Sequence, residues 1–465
     1  MSAEPGTRRP AKRPLGKKPA DYIDAEDRPG LAARQVATRL LGAVIEKHTS
    51  LDGLTDNSNG HPQYMALDDR DRSLVRAILG AALRNRGTIE AAIGQLIDRP
   101  LPENAVALRH LLAVAAAQIL YLDLPDRAAV DLAVTAANND PRNRRFASMV
   151  NAVLRRLSRE KETFKGDVYL NASNVPAWFE NSLMAAYGKD KTKAILDIQS
   201  KEPPIDLTVK GDPQMWAEKL GGIALPTGSV RLGTVEGALT SLPGFAEGEW
   251  WVQDTAASLP AKLFGDIEGK RVADLCAAPG GKTAQLALAG ANVTALDLSA
   301  NRLKRLRSNL ERLKLSAETV EANLSAYQPA ELFDAILLDA PCSSTGTVRR
   351  HPDVPWTKTP EDVVKLAQLQ AKLLDHAVTI VRPGGIVVFS NCSLDPLEGE
   401  KVANDLLAKN PGIELLPVTK DEVFGLVELI TREGFVRSTP ADLAHENPAL
   451  SGMDGFFAAR FKRKY

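Results

Sequence analysis

Apolar residues recur at helical spacing through the first third of the chain. Val36, Leu40 and Val44, for example, would lie on one side of a helix. The same spacing predicts helices over Leu31–Ile45, Leu74–Leu83, Ile89–Ile97, Ala105–Leu122, Ala128–Asn138 and Arg145–Leu157. Because no run of alternating apolar and polar residues interrupts this region, we expect an all-helical (all-α) domain over residues 28–165.

After about Gly248, short apolar runs alternate with helical patterns. The runs predict strands over Arg271–Cys276, Asn292–Asp297, Thr319–Ala322, Phe333–Asp339 and Gly385–Ser390. Helices are predicted over Lys282–Leu288, Asn301–Leu315 and Pro360–Val381. Strands this apolar suit a parallel sheet covered on both faces, which favours a doubly wound, Rossmann-like α/β domain over residues 246–465. Residues 166–245 are mixed and predict a small α+β connector.

Composition and length narrow the class of protein. A chain of 465 residues, 44% hydrophobic and 25% charged, is expected to form two or three domains of a globular protein. The longest apolar stretch, Leu111–Leu124, is too short and too polar to cross a bilayer, and no secretory signal pattern is present. Three cysteines fit a reducing cytoplasm better than a disulfide framework. We expect a cytoplasmic monomer.

The net charge is zero, but basic residues are concentrated in two segments. A basic, proline-rich start predicts a disordered tail over residues 1–27, which could be a solubilising terminus or an arm that contacts phosphate. The last predicted helices carry six arginines beside Asp140: Arg142, Arg144, Arg145, Arg155, Arg156 and Arg159. They could form a solvated face, but their number makes them candidate RNA-binding residues.

The first strand of the α/β region is followed by a turn of small residues, DLCAAPGGKT at 274–283. A nucleotide P-loop would require glycine at the position of Cys276, and the dinucleotide pattern GxGxxG is absent. The next strand ends at Asp297, where an acidic side chain commonly accepts hydrogen bonds from a ribose. These features indicate an adenosine-containing cofactor, with S-adenosylmethionine as the candidate. The alternative is a generic strand–turn–helix that binds no cofactor.

Two of the three cysteines follow strand ends, Cys342 in DAPCSSTG and Cys392 in NCS. With no CxxC pair and no histidine two to four residues from any cysteine, we predict no metal site. Three roles stay open for Cys342 and Cys392: they could be buried thiols, form a redox disulfide, or include a nucleophile. A thiolate that adds to carbon 6 of a pyrimidine makes carbon 5 nucleophilic enough to accept a methyl group. Asp339, just before Cys342, is placed to contact the N3/N4 edge of such a base.

These motifs closely resemble those of the RNA cytosine-C5 methyltransferases of the Sun/RsmB type. The resemblance is carried by DLCAAPGGKT (274–283), DAPCSSTG (339–346), SNCSLDPLEGE (390–400), VQDTAASL (252–259), RRHPDVPW (349–356) and MDGFFAARF (453–461). The helical region around Phe146–Arg156 looks like a NusB-type RNA-binding domain. That combination is the arrangement of bacterial small-subunit rRNA enzymes.

The resemblance implies roles for individual residues. Cys392 would be the nucleophile, Cys342 would assist adduct breakdown and product release, and Asp339 would contact the base. The implied contacts of S-adenosylmethionine are Cys276, Ala277, Ala278, Pro279, Gly280, Gly281, Lys282, Asp297, Arg302, Asn323 and Asp339. His351, in the loop after DAPC, is a candidate RNA contact or a structural loop residue.

Three residues depart from the family pattern. Asn391 stands where the family usually has threonine, Asn323 stands near the usual aspartate of the third strand, and Ser344 replaces a glycine. The resemblance predicts methylation of cytosine C5 in small-subunit (16S) rRNA through a covalent cysteine adduct. The alternatives are the same chemistry on tRNA, or a NusB-like RNA-binding or assembly protein whose methyltransferase domain is inactive.

Overall fold

The structure, a computed structural model, describes residues 28–57, 59–166, 172–235 and 237–465. The predicted basic tail over residues 1–27 lies outside the described residues. The chain divides into two compact units: one spans residues up to 42, 55–82 and 88–172, and the other spans 43–54, 83–87 and 173–465. Two short segments of the predicted helical domain are thus grouped with the second unit.

The helices are α1 (Leu31–Lys47), α2 (Leu51–Leu54), α3 (Pro62–Met65), α4 (Asp69–Arg84), α5 (Arg86–Leu96), α6 (Val106–Tyr121), α7 (Asp126–Asn139), α8 (Ala147–Arg159), α9 (Lys161–Gly166), α10 (Ala177–Gln199), α11 (Pro213–Leu220), α12 (Thr255–Lys262), α13 (Gly281–Leu288), α14 (Ala300–Arg312), α15 (Val354–Thr357), α16 (Pro360–Ile380) and α17 (Glu400–Lys409). The strands are β1 (Ile205–Val209), β2 (Ile223–Ala224), β3 (Ser229–Leu232), β4 (Trp250–Val252), β5 (Arg271–Leu275), β6 (Asn292–Asp297), β7 (Glu318–Glu321), β8 (Phe333–Asp339), β9 (Val381–Asn391), β10 (Ile413–Leu415), β11 (Val436–Ser438) and β12 (Phe456–Arg463).

The first unit is helical, as predicted. Helix α6 is apolar on almost every side and is buried along most of its length, so it forms the centre of this unit. Helices α7 and α8 pack against it and against each other. On α8, Val150, Val153, Leu154 and Leu157 are buried while the arginines of the same helix face outward, which is the division an amphipathic helix requires.

A small antiparallel sheet in the second unit has the strand order β2-β3-β1-β4. A fully buried ion pair links Arg231 of β3 to Asp206 of β1, with Nε–Oδ1 and Nη2–Oδ2 distances of 2.7 and 2.8 Å. Strand β4 pairs with β1 although it lies beyond the predicted connector boundary at residue 245. The connector fold therefore continues into the region that the sequence pattern assigned to the catalytic domain.

The large sheet has the order β10-β12-β9-β8-β5-β6-β7, and β11 pairs with β12. Strands β5 to β9 are parallel, as predicted, but β10, β11 and β12 join antiparallel, so the sheet is mixed. The sequence prediction missed these three strands: β10 and β11 are each only three residues long, and β12 lies beyond the last predicted alternation of strand and helix. Residue 381, predicted as the end of a helix, begins β9.

Alternating residues of β8 enter hydrophobic cores on opposite faces of the sheet. Ile336 and Leu338 pack with residues of α16 and α17, whereas Ala335 and Leu337 pack with residues of α12 and α13. The sheet is thus covered on both faces, as its apolar strands predicted. This fixes the carboxyl ends of the parallel strands along one edge, where ligands of such folds bind. In the described part of the chain, no helix is long and apolar enough to span a membrane.

Candidate functional site

The loops that contain Cys342 and Cys392 leave the sheet side by side. Strands β8 and β9 are parallel neighbours in which Asp339 lies opposite Ser390, and the register continues one residue further through the Ala340 N–H bond to Ser390 O (2.8 Å). This brings the sulfur atoms of Cys342 and Cys392 to 3.4 Å from each other, with both cysteines unoxidised. The two strand-end thiols therefore form one site.

Glu398 is buried between the two loops and joins them. Its Oε1 accepts hydrogen bonds from the backbone N–H of Ser343 and from Gln370 Nε2, both at 2.9 Å, and its Oε2 accepts one from the Ser343 hydroxyl. Gln370 also donates to the carbonyl of Pro341 (2.9 Å). Burial raises the pKa of Glu398 despite these donors. Although Glu398 lies in the motif SNCSLDPLEGE, no local pattern indicated this role, because its partners are distant in the chain.

Asn391 supports the turn that presents Cys392. Its side chain is fully buried; Oδ1 accepts from the Ser393 N–H (2.9 Å), and Nδ2 donates to the carbonyl of Glu398 (2.7 Å). Both ends of the amide are therefore used in the backbone of the loop. Asn391 therefore holds together the loop that carries the adjacent thiol.

The two thiols have opposite electrostatic environments. The hydrogen bond from Cys342, supported by Ser344 and Lys282, lowers the pKa of Cys392, whereas burial and Asp339 act against that shift. For Cys342 the same hydrogen bond, together with burial, raises the pKa. Cys392 is thus the thiol that ionises more readily, and it also lines a cavity.

Asp339 is held by two partners at the end of β8. Lys282 Nζ lies 2.7 Å from Oδ2, and the Ser390 hydroxyl donates to Oδ1 at 3.0 Å. The lysine comes from the start of α13, so the glycine turn and the DAPC loop are joined by an ion pair. These contacts fix the carboxylate next to the two-thiol site while leaving it partly exposed.

The turn after β5 lies against the end of β6. The backbone N–H of Ala278 donates to Asp297 Oδ2 (3.2 Å), and Arg302 pairs with the same carboxylate at 3.1 Å. Cys276 has φ 64°, which brings the backbone of the turn into an unusual path with small side chains on it. A strand-end carboxylate beside such a turn can accept hydrogen bonds from the ribose hydroxyls of an adenosine, so the residues present fit S-adenosylmethionine.

The other predicted cofactor residues fall on the same edge of the sheet. Ala277 and Ala278 are buried, Pro279 is exposed, and Gly280 and Gly281 begin α13. Asn323 follows β7, and its side chain accepts a hydrogen bond from the Ser325 N–H (3.1 Å). Burial raises the pKa of Cys276 to about 12, so this thiol is unsuited to act as a nucleophile at neutral pH.

A cavity of about 320 Å³ opens onto Cys392. Its wall includes Ser344, Thr347, His351, Asp353, Val354, Thr357, Lys358, His48, Ser50 and Asp52. His351 Nδ1 lies 3.1 Å from Asp52 Oδ2; burial alone would lower the pKa of His351, but the bond and charge of Asp52 raise it. Nothing in the sequence of segment 48–52 indicated that it lies near Cys392, because the fold brings the two together from distant parts of the chain.

Three of the quoted motifs meet in one buried ion network. Arg349 Nε lies 2.7 Å from Asp454 Oδ1, and Arg349 Nη2 lies 2.6 Å from Asp254 Oδ2. Arg350 pairs with the same two carboxylates at 3.1 and 2.6 Å. The network anchors the chain just after the DAPC loop. Sequence reasoning gave these residues no role.

The six candidate RNA-binding arginines lie in the first unit and are exposed. Arg142 pairs with Asp140 and Arg156 pairs with Glu160, at 2.8 and 2.9 Å. Within the described ranges, the remaining four arginines make no ion pair; they are Arg144, Arg145, Arg155 and Arg159. No group of three or more His, Cys, Asp or Glu side chains among the described residues could hold a metal ion.

The fold and the site define a class: a Rossmann-like methyltransferase that uses S-adenosylmethionine, joined to a NusB-type helical region. The model of the 16S rRNA methyltransferase RsmB/F family matches residues 263–462, and the NusB family model matches residues 31–159. The chain belongs to the family of ribosomal RNA small subunit methyltransferase B, whose members match it over most of its length.

Relatives and solved structures agree with this assignment. Ribosomal RNA small subunit methyltransferase B of Xylella fastidiosa strain 9a5c is 36% identical, over 91% of this chain and 99% of its own. The protein of that name from Pseudomonas putida is 34% identical, over 92% and 97%. The crystal structure of a methyltransferase homolog protein from Pyrococcus horikoshii has a TM-score of 0.51 at 27% identity and covers 64% of this chain and 97% of its own. NSun6 from the same organism, solved with SFG, shares the fold at a TM-score of 0.52, with 17% identity, 62% coverage of this chain and 98% of its own.

Proposed function

We propose that this protein methylates carbon 5 of a cytosine in small-subunit (16S) rRNA, through a covalent bond between Cys392 and carbon 6 of the base. The observation that carries the proposal is the pair of sulfur atoms 3.4 Å apart beside the Asp339–Lys282 ion pair. Family membership and the names of the relatives support rRNA as the substrate. The exposed arginines of the helical unit are candidate contacts for the RNA backbone.

The cavity beside Cys392 is the candidate position of the target base. Its volume of about 320 Å³ falls at the lower end of the range for small-molecule sites. A cytosine inside a helix cannot reach such a cavity, so the target nucleotide must be unstacked or single-stranded. Asp339, next to the thiols, would hydrogen-bond the N3/N4 edge and stabilise the base as charge develops there.

Cys392 and Cys342 would act in sequence. The Cys392 thiolate forms the bond to carbon 6, and the electron pair of the ring double bond becomes available at carbon 5. After carbon 5 has gained its methyl group, a base removes the carbon 5 proton and the electrons expel the Cys392 sulfur. Once Cys392 is bonded to the ring, the hydrogen bond that raises the pKa of Cys342 is lost. This removes the largest cause of the raised pKa of Cys342, although burial still acts in the same direction, and favours assistance by Cys342 in this second step.

S-adenosylmethionine supplies the methyl group as an electrophile on its sulfonium. Asp297 and the backbone of 276–281 would hold its adenosine part, and the ion pair with Arg302 orients the Asp297 carboxylate. Lys282 orients Asp339 between this region and the thiols. With the proposed cofactor and base sites along one edge of the sheet, the methyl group could pass directly from one to the other.

The experiment uses full-length protein, unmodified rRNA and S-adenosylmethionine labelled on its methyl group. We expect Cys392→Ala to abolish labelling and to form no adduct. We expect Cys342→Ala to form a protein–RNA complex that survives denaturing electrophoresis, because the second step fails. The matched control is the double variant with both substitutions, which should form no complex.

The outcomes separate the alternatives. A trapped complex with Cys392→Ala, and none with Cys342→Ala, would exchange the two roles. No label on rRNA from the native protein would favour an RNA-binding protein with an inactive methyltransferase domain. Label on tRNA rather than rRNA, located by nucleotide mapping, would retain the chemistry and change the substrate.

A further inference from the structure

Ser344 adopts a backbone conformation that serine seldom takes. Its φ and ψ are 60° and 23°, in the left-handed region, where a residue with a Cβ pays a cost that glycine avoids. The conformation is anchored, since the carbonyl of Ser344 accepts hydrogen bonds from the N–H and the hydroxyl of Thr347 at 3.0 and 2.9 Å. A strained residue beside a reactive group calls for a functional reason.

The hydroxyl of Ser344 contacts both sulfur atoms of the site. Its Oγ lies 3.6 Å from Cys392 Sγ and 3.9 Å from Cys342 Sγ, and the side chain lines the same cavity as Cys392. When Cys392 is a thiol, its S–H donates to this oxygen. When Cys392 is a thiolate, the hydroxyl can rotate and donate to the sulfur, because a serine hydroxyl is both donor and acceptor.

We propose that Ser344 is a positioning residue whose hydroxyl donates a hydrogen bond to the Cys392 thiolate and stabilises it before attack. The inference rests on the proposed role of Cys392 as the nucleophile. Ser344 forms and breaks no covalent bond in this role. In the free enzyme the proton of Cys392 passes to solvent through the open cavity.

The hydroxyl supplies what the charges around Cys392 do not. Asp339 opposes ionisation, and Lys282, the cation on the same side, is already paired with Asp339. The remaining charged or titratable groups that face the thiol are Cys342 and Glu398 from the adjoining loops, and Asp52, His48, His351, Asp353 and Lys358 across the cavity. His351 is paired with Asp52. Neutral donors on Cys342 and Ser344 are therefore the groups in hydrogen-bonding contact with the sulfur.

The test measures thiol reactivity directly. Native protein, Ser344→Ala and Ser344→Gly are treated with iodoacetamide between pH 6 and 10, and alkylation of the peptide containing Cys392 is followed by mass spectrometry. Loss of the hydrogen bond should raise the midpoint of the curve of alkylation rate against pH by about one pH unit, so alkylation at neutral pH becomes about ten-fold slower. The plateau at high pH should remain nearly unchanged, because the thiolate is formed in every variant.

Two further variants isolate the hydroxyl from other effects. Ser344→Gly also relieves the left-handed backbone, and Lys314→Gly makes the same change at an exposed residue with φ 52°. The same upward shift of the alkylation midpoint in Ser344→Ala and Ser344→Gly, with a native profile for Lys314→Gly, would support the proposal. A native profile in both Ser344 variants would overturn it. If Ser344→Ala does not fold, the comparison rests on Ser344→Gly.

Methylation assays distinguish failure of this inference from failure of the proposed function. If Cys392→Ala retains methylation, the proposed nucleophile is wrong whatever the alkylation profile of the Ser344 variants. If Cys392→Ala is inactive and the Ser344 variants alkylate normally, the nucleophile stands and the inference about Ser344 fails. When both hold, Ser344→Ala should lose more activity at pH 6.5 than at pH 8.5.

Discussion

Asp274 is a carboxyl group that the fold buries without satisfying it fully. It is 1% exposed, and the Thr283 hydroxyl donates to Oδ2 at 2.6 Å, whereas Oδ1 has no hydrogen-bond partner among the described residues. Burial raises the pKa of Asp274 to about 7, and Asp339 and Asp297 act in the same direction. The ionised form is therefore costly in the folded protein.

The pH dependence of stability follows from that shift. Because the folded pKa lies above the value of 3.8 for the ordinary group, the folded state binds more protons, and stability falls as the pH rises from about 4 to about 7. We expect Asp274→Asn to remove this loss. Relative to the native protein, its free energy of unfolding should rise by the order of a few kcal/mol more near pH 8 than at pH 4. Thermal unfolding midpoints across this range measure it.

The control for this change is Asp421→Asn, which removes one carboxyl group from an exposed position in the same unit. In this variant the thermal unfolding midpoint should change between pH 4 and 7 as it does in the native protein. If Asp274→Asn also keeps the native slope, the buried carboxyl group does not titrate in this range.

At the scale of elements, two loops cross next to the thiols at a pair of glycines. The N–H of Gly346 donates to the carbonyl of Cys392, and the N–H of Gly455 donates to the carbonyl of Gly346, both at 2.9 Å. A Cβ on Gly346 would lie 2.0 Å from the carbonyl oxygen of Gly455 and 2.8 Å from that of Cys392. The crossing that positions Cys392 thus tolerates no side chain at residue 346.

Gly346→Ala should displace the Cys392 loop. The added methyl group meets backbone atoms, which cannot rotate away, so we expect a destabilisation of about 1–3 kcal/mol or more, together with loss of methylation. Gly53→Ala is the control, because Gly53 is exposed in the same unit and its Cβ would meet nothing within 4 Å. Denaturant unfolding and methyl transfer measure the two effects. Native activity in Gly346→Ala would show that the crossing can relax.

The pattern of apolar residues predicted the strands whose own sequences are mostly apolar. The bounds of β6 and β8 agree with the prediction to the residue; both strands are mostly apolar and end in aspartate. The positions of Asp297 and Cys342 at strand ends followed from those bounds, and that of Cys392 followed from the predicted end of the next strand at Ser390, one residue before β9 ends. Their adjacency required only that β8 and β9 be neighbours, which successive strands often are.

The rest depends on contacts between residues distant in the chain. Glu398 bonds Ser343 across 55 positions, and Arg349 bonds Asp454 across 105. Strand β12 pairs with β9 although β12 itself lies outside the predicted pattern of alternating strands and helices. No local signal encodes such pairings. The sequence therefore predicted which residues lie at the edge of the sheet. The hydrogen bonds and ion pairs that position these residues are visible only in the folded structure.

At the scale of the whole molecule, the two compact units carry different kinds of polar surface. The second unit contains the thiols, and the charged groups near them are paired, as in Lys282–Asp339 and the buried pair Arg349–Asp254. The first unit exposes arginines on and beside α8, of which Arg144, Arg145 and Arg155 make no ion pair in the described part of the chain. RNA affinity and chemistry should therefore respond to different substitutions.

The triple variant Arg144→Ala, Arg145→Ala, Arg155→Ala should weaken RNA binding with little effect on the methylation rate at saturating RNA. Each phosphate contact that is lost removes about 0.7–0.9 from the slope of log affinity against log salt concentration. If all three arginines contact phosphate, the slope should fall by about two. Binding measured between 50 and 200 mM salt, roughly the range over which such contacts dominate, gives the slope.

The control is the double variant Lys409→Ala, Lys420→Ala, which removes exposed positive charge from the second unit. A loss of affinity that came from net charge alone would appear in both variants, in proportion to the charge removed. Local phosphate contacts would instead reduce the slope only in the arginine variant. An unchanged slope there would mean that the arginines form a solvated face, and that RNA is held elsewhere.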